Sequence, residues 1–180
     1  LQYDAQVEQF SYMTQDRGAE IEATAAVAYP RNADDIRGVL LVLHGTTGFM
    51  DDCAPSTSLV GQALPALFAT FGYLVVAPDF IGLKSLGDPS SELHPYLVGQ
   101  ATAIASLDAL RALPNMPEDK RGGFCPPPEY LIFGASQGGH AALWVDRLAP
   151  YYASEMTSKG GVATVPPADL PQCEARAPAP

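Results

Sequence analysis

Five residues, Gly134-Ala135-Ser136-Gln137-Gly138, place a serine between two glycines at the spacing G-x-S-x-G. A short apolar run, Tyr130 to Phe133, precedes them, and a helix-forming stretch follows. That context is what a nucleophilic serine needs. The chain must leave a strand, turn sharply and enter a helix, so that the hydroxyl stands exposed at the strand's end. Gly134 and Gly138 relieve crowding around a strained residue. The following helix directs its free N–H groups and positive dipole end at the serine oxygen. The chemistry this spacing predicts is attack on an acyl carbonyl, with the Gln137 N–H as one donor to the oxyanion.

A second segment, His44-Gly45-Thr46-Thr47-Gly48, follows the apolar run Gly38 to Leu43 directly. A glycine-containing loop at that place keeps backbone N–H groups close to a reacting oxygen, and Thr46 or Thr47 is the expected second donor. A serine hydroxyl is a weak nucleophile without an adjacent base. The chain has three histidines: His44, His94 and His140. In this arrangement the base follows the serine, after an acid. His44 and His94 precede Ser136, and His140 lies one helical turn beyond it on a helix leading away. None of the three fits the role. Asp79, at the end of an apolar run, reads as a turn-capping residue or a wall of the pocket.

The elements that must position these residues alternate. Glu20 to Tyr29 reads as a strand and Gly38 to Leu43 as one buried on both faces. Ser56 or Ser58 caps a helix that runs to about Phe71, where Gly72 ends it. Tyr73 to Ala77 is a further buried strand, followed by a loop over Gly82 to Pro95. Tyr96 to Leu113 reads as a helix with Ile104, Leu107, Leu110 and Leu113 on one stripe, and Asp108 with Arg111 as a solvent-facing pair. Tyr130 to Phe133 is a strand, Gly134 to Gly139 a turn, His140 to Leu148 a helix and Thr157 to Val165 one more strand. The expected fold is α/β, a mostly parallel sheet flanked by helices, with the site at the carboxyl ends of the strands. Residues 1–170 form the expected core, and 171–180 a proline-rich irregular tail.

Composition bounds the partners. The 180 residues carry a formal net charge of -10, which argues against nucleic acid and against docking on anionic lipid. No apolar run approaches the ~20 residues of a membrane-spanning helix. Three cysteines, Cys53, Cys125 and Cys173, are too few for a disulfide scaffold and fit no zinc spacing.

In order and spacing, the sequence resembles the secretory lipase family of α/β-hydrolases. The resemblance is carried by HGTTG at His44 to Gly48, CAPS at Cys53 to Ser56, PDFIGL at Pro78 to Leu83 and HPYLVG at His94 to Gly99. It continues through LDALRAL at Leu107 to Leu113, GASQGGHAALW at Gly134 to Trp144, LAPYYA at Leu148 to Ala153 and GGVATVPPADL at Gly160 to Leu170. It implies a partial α/β-hydrolase fold, truncated after the elbow helix and about one further strand. It implies a serine carboxylic-ester hydrolase acting on lipid or short acyl esters, with Ser136 as nucleophile, no cofactor, and a secreted or periplasmic location. The family's acid and histidine lie after the PPADL stretch, where this sequence reads PQCEARAPAP and holds no such pair. Those groups are therefore expected from sequence outside these residues or from a complementary chain. A serine peptidase or acyltransferase on the same fold, or a non-catalytic truncated domain, remain the alternatives. The resemblance also implies a disulfide at Cys53, with Cys173 as first partner and Cys125 as second.

Overall fold

The computed structural model describes residues 2–167. Six strands and three main helices alternate along most of this span: β1 (Ala5–Asp16), β2 (Ala19–Pro30), β3 (Gly38–Leu43), α1 (Leu59–Thr70), β4 (Tyr73–Pro78), α2 (Gly99–Ala112), β5 (Glu129–Ala135), α3 (Gln137–Tyr152) and β6 (Thr157–Thr164). They form one six-stranded sheet in the order β1-β2-β4-β3-β5-β6. β4, β3, β5 and β6 run parallel, while β1 and β2 form an antiparallel hairpin that joins β4 antiparallel. The order is that of the α/β-hydrolase fold, with a mixed, mostly parallel sheet.

The central strands form where apolar runs are continuous. Leu41, Leu43, Val75 and Val76 are fully or almost fully buried, because helices or loops cover both faces of β3 and β4. β1 has a different pattern. Phe10, Tyr12 and Thr14 are buried while Ser11 and Met13 between them are exposed, the alternation of a strand covered on one face. This strand lies before the first element expected from the sequence, and its residues complete the core under α2.

The helices differ from expectation at their ends. Ser58 caps α1: its hydroxyl accepts the Gly61 N–H at 3.0 Å. α2 begins at Gly99, three residues later than expected, because Tyr96 to Val98 form a turn closed by the Val98 N–H on the Pro95 carbonyl at 3.0 Å. α3 begins at Gln137 and not at His140. The turn expected over Gly134 to Gly139 is a single residue, Ser136.

Asp108 is not at the solvent face. Its carboxylate accepts from Thr14 of β1 at 2.8 Å, from the Tyr152 hydroxyl and from Arg111 at 3.0 Å. β1 and the end of α3 cover the side of α2 that carries it. Arg111 also reaches Glu155 at 2.5 Å and lies over the Tyr152 ring, so the pair is part of a bridge across three elements.

Candidate active site

Register brings the chemistry to one edge. Leu43 of β3 pairs with Gly134 of β5, and Ala135 of β5 with Thr164 of β6, so these parallel strands end level with one another. The HGTTG loop, the GASQG turn and the end of β6 leave the sheet together, where Brändén's rule locates a ligand site.

Ser136 sits alone between strand and helix at φ 56 and ψ -119, a conformation that non-glycine residues rarely adopt. The Ser136 N–H donates to the Thr164 carbonyl at 3.0 Å, and its carbonyl accepts the His140 N–H at 3.0 Å. The turn is thus fixed from both sides, and the side chain is exposed. The flanking glycines are required for room. A Cβ on Gly134 would stand 2.0 Å from the Gly138 carbonyl oxygen, and one on Gly138 would stand 1.9 Å from that of Leu43. The first turn of α3 therefore presses directly on the backbone of β3 and β5. The positive φ falls on the serine itself, and the glycines admit the backbone that holds it there.

The HGTTG loop lies alongside: a Cβ on Gly45 would come 3.7 Å from the Ser136 Cβ. Among the described residues the N–H groups of Gln137, Thr46 and Thr47 donate to no backbone carbonyl. Thr46 and Thr47 are exposed, and the Thr46 hydroxyl is 3.0 Å from that of Tyr96. A cavity of about 490 Å³ opens behind this loop, walled by Val42, Cys53, Pro55, Val60 and Leu64; Ser136 stands outside it.

The histidines are all engaged elsewhere. The His44 ring nitrogens lie 2.6 Å from the Gly45 carbonyl and 3.1 Å from that of Asp79, and the ring stacks on Phe80. Burial pulls its pKa from 6.5 down to about 4, while the two carbonyl partners favour the protonated ring. His140 Nε2 accepts the Trp144 indole N–H at 3.1 Å. His94 is buried between the Ile81 carbonyl and the Gln137 side-chain amide, each 2.8 Å from one ring nitrogen. None of the three hydrogen-bonds the Ser136 hydroxyl.

Asp79 does more than cap a turn. It is fully buried. One carboxylate oxygen accepts the Ser56 N–H at 2.8 Å, and the other accepts the Ser56 and Thr24 hydroxyls, each at 2.7 Å. It ties β2, the end of β4 and the approach to α1 together. Burial raises its pKa, and the hydrogen bonds oppose that rise.

Cys53 lies against Gly48 of the loop: a Cβ there would meet its sulfur at 2.2 Å. Cys125 is exposed and is not bonded to Cys53. The pairing of these two fails for a topological reason. Cys125 precedes β5, at the amino ends of the parallel strands, while Cys53 follows β3 at their carboxyl ends, beyond the ~7 Å that a disulfide spans between Cα atoms. Cys173 lies outside the described residues.

The secretory lipase family model matches residues 54–177, well over half of the sequence. The chain belongs to the secretory lipase family. Lipase A of Moesziomyces aphidis is 26% identical over 154 residues, which make up 84% of this chain and 26% of that protein. A crystal structure described as a putative hydrolase from Legionella pneumophila superposes with a TM-score of 0.71 at 28% identity, over 88% of this chain and 42% of the other. The rice cell wall degrading esterase LipA from Xanthomonas oryzae superposes with a TM-score of 0.78 at 23% identity, over 95% of this chain and 45% of the other, a likeness of fold. This member of the secretory lipase family thus spans less than half the length of each of these three proteins. No helix of the described residues is long and apolar enough to cross a membrane.

Proposed function

We propose that this chain carries the nucleophile and oxyanion hole of a serine carboxylic-ester hydrolase, and that its triad acid and histidine come from polypeptide outside these residues. The observation that carries the reading is Ser136, exposed at φ 56 between β5 and α3. In the reaction, the Ser136 hydroxyl attacks the ester carbonyl while a histidine takes its proton. The N–H of Gln137 and that of Thr46 or Thr47 receive the developing oxyanion, each contributing ~3 kcal/mol. The histidine then protonates the leaving alcohol, and water releases the acid from the acyl-enzyme. Substrates are lipid or short acyl esters, met outside the cytoplasm.

The surface supports a complementary polypeptide. β6 is an edge strand with Val162 half exposed, and a groove of about 360 Å³ beside it is walled by Leu40, Phe68, Leu131 and Phe133. On α1, Leu59 and Val60 are each 88% exposed. A strand edge and an apolar face left open among the described residues are surfaces that further strands and helices bury. The test is hydrolysis of a short p-nitrophenyl ester by the purified 180 residues, beside a peptide substrate. Esterolysis should stay within the ~10³ to 10⁴-fold over water that binding and an oxyanion hole supply without a complete triad. Robust turnover that is abolished on substituting His44 or His140, or that falls far more than ~10-fold on substituting His94, would refute the external base.

A further inference from the structure

We propose that His94 is a positioning residue for the reaction: by holding the Gln137 side-chain amide it fixes the Gln137 backbone N–H, the first oxyanion donor, relative to Ser136. This rests on the reading of Ser136 and Gln137 given above. The tautomer follows from the partners. The Ile81 carbonyl can only accept, so His94 Nδ1 carries the proton at 2.8 Å from it. In the neutral ring Nε2 then carries a lone pair, and the Gln137 amide nitrogen donates to it at 2.8 Å. Turning the amide over would set its oxygen against that lone pair. Burial lowers the pKa of His94, which keeps Nε2 an acceptor at neutral pH.

Among the described residues no other hydrogen bond orients the amide. Gln137 is 2% exposed, and its side-chain oxygen has no hydrogen-bond partner among the described residues. With that oxygen unpaired, the one strong partner on the nitrogen decides the orientation of the amide. His94 is itself held firmly. Its backbone seats against Gly82, where a Cβ would stand 2.3 Å from the His94 nitrogen. Its ring lies parallel to Phe80 at 6.2 Å between centroids and is flanked by Phe49 and Tyr96. Phe49 follows the HGTTG loop, and Tyr96 touches the Thr46 hydroxyl. One imidazole thus joins the loop after β4, the oxyanion loop and the first residue of α3. A donor displaced by a fraction of an ångström stabilises the oxyanion less, while substrate binding changes little.

The experiment measures the rate at which a fluorophosphonate modifies Ser136, by intact mass and peptide mapping, with thermal midpoints recorded alongside. His94→Asn keeps the donor to Ile81 and loses the acceptor for Gln137; His94→Gln restores an acceptor near the position of Nε2. Gln137→Met keeps the backbone N–H and the side-chain volume while removing the amide. We expect His94→Asn and Gln137→Met each to slow the saturated modification step ~10-fold without changing the probe concentration at half-saturation, a part of the ~10² to 10³-fold attached to a whole donor. The double variant should be no slower than either single one, and His94→Gln should recover most of the rate. Wild-type rate in folded His94→Asn, multiplying effects in the double variant, or no recovery by His94→Gln would overturn the proposal. Should His94→Asn not fold, Gln137→Met reads the same contact with His94 intact. In the unsubstituted protein, nitrogen NMR should show a scalar coupling through the hydrogen bond between His94 Nε2 and the Gln137 amide nitrogen; its absence would also overturn the proposal. A wild type that takes the probe at another serine in preference to Ser136 would refute the nucleophile itself, an outcome distinct from equal labelling of Ser136 in wild type and His94→Asn.

Discussion

Replacing Ser136 by glycine should stabilise the protein relative to replacing it by alanine. Both changes remove the hydroxyl, which makes no capping hydrogen bond and stands in solvent, so neither loses a folded-state contact that the other keeps. They differ in the backbone. At φ 56 and ψ -119 a residue with a Cβ bears strain of ~1 to 3 kcal/mol, and glycine bears almost none. Glycine gives back ~0.5 to 1 kcal/mol through the greater freedom of its unfolded chain. The balance favours Ser136→Gly over Ser136→Ala by ~0 to 2.5 kcal/mol, ~1.3 kcal/mol at the middle of both ranges. In a chain of this length the middle value is a rise in thermal midpoint of ~3 to 5 °C. Urea denaturation of the two variants, fitted with a common slope, measures the difference. A glycine variant no more stable than the alanine variant would mean that the elbow is relaxed, and the argument from strain to function would fall.

Three further outcomes follow from the same contacts. Gly138→Ala drives a methyl group to within 1.9 Å of the Leu43 carbonyl oxygen, which no rotamer relieves, and should cost ~3 kcal/mol or more in urea midpoint measurements; a cost below ~1 kcal/mol contradicts the close approach of α3 to β3. Asp79→Ala removes the acceptor from the Ser56 N–H and from the Ser56 and Thr24 hydroxyls, and should cost ~3 kcal/mol or more, with Asp79→Asn milder because one oxygen remains; equal effects would count against the buried hub. Burial outweighs the two carbonyl partners of His44 and sets its folded pKa at about 4 against an ordinary 6.5, so the folded state binds fewer protons than the unfolded between these values. Its contribution to stability is present above pH 6.5 and is lost as pH falls towards 4, and His44→Asn should flatten that part of the stability–pH curve; an unchanged curve refutes the lowered pKa of this half-buried ring.

The strands that carry the site were legible because their apolar runs are unbroken. GVLLVL and YLVV are buried on both faces, and no helical period competes with them. β1 was not legible, although Phe10, Tyr12 and Thr14 alternate with Ser11 and Met13 at a strand's period. Its polar residues hide a period that only pairing with β2 makes decisive. Missing it had a consequence at Asp108, whose spacing to Arg111 suits an exposed pair until Thr14 of β1 is placed over it. The early start of α3 escaped because Gly138 and Gly139 are poor helix formers. There the fit of the helix end against Leu43 and Thr164 outweighs intrinsic preference. The Ser136 turn itself could be read from spacing alone. The His94–Gln137 contact joins residues 43 positions apart, and no local pattern announces it.

The central claim is that Ser136 is the nucleophile, and covalent capture tests it most directly. The purified chain is incubated with a fluorophosphonate at high concentration, and adducts are located by peptide mapping, for wild type and Ser136→Ala. On this account, attack by Ser136 expels fluoride, releases the hydroxyl proton to solvent and leaves the phosphonyl group on the serine oxygen, with the Gln137 and Thr46–Thr47 N–H groups facing the phosphoryl oxygen. The account predicts one adduct, on Ser136, and none in Ser136→Ala. An adduct on another residue that persists in Ser136→Ala, or other serines of the chain taking the probe in preference to Ser136, would contradict it.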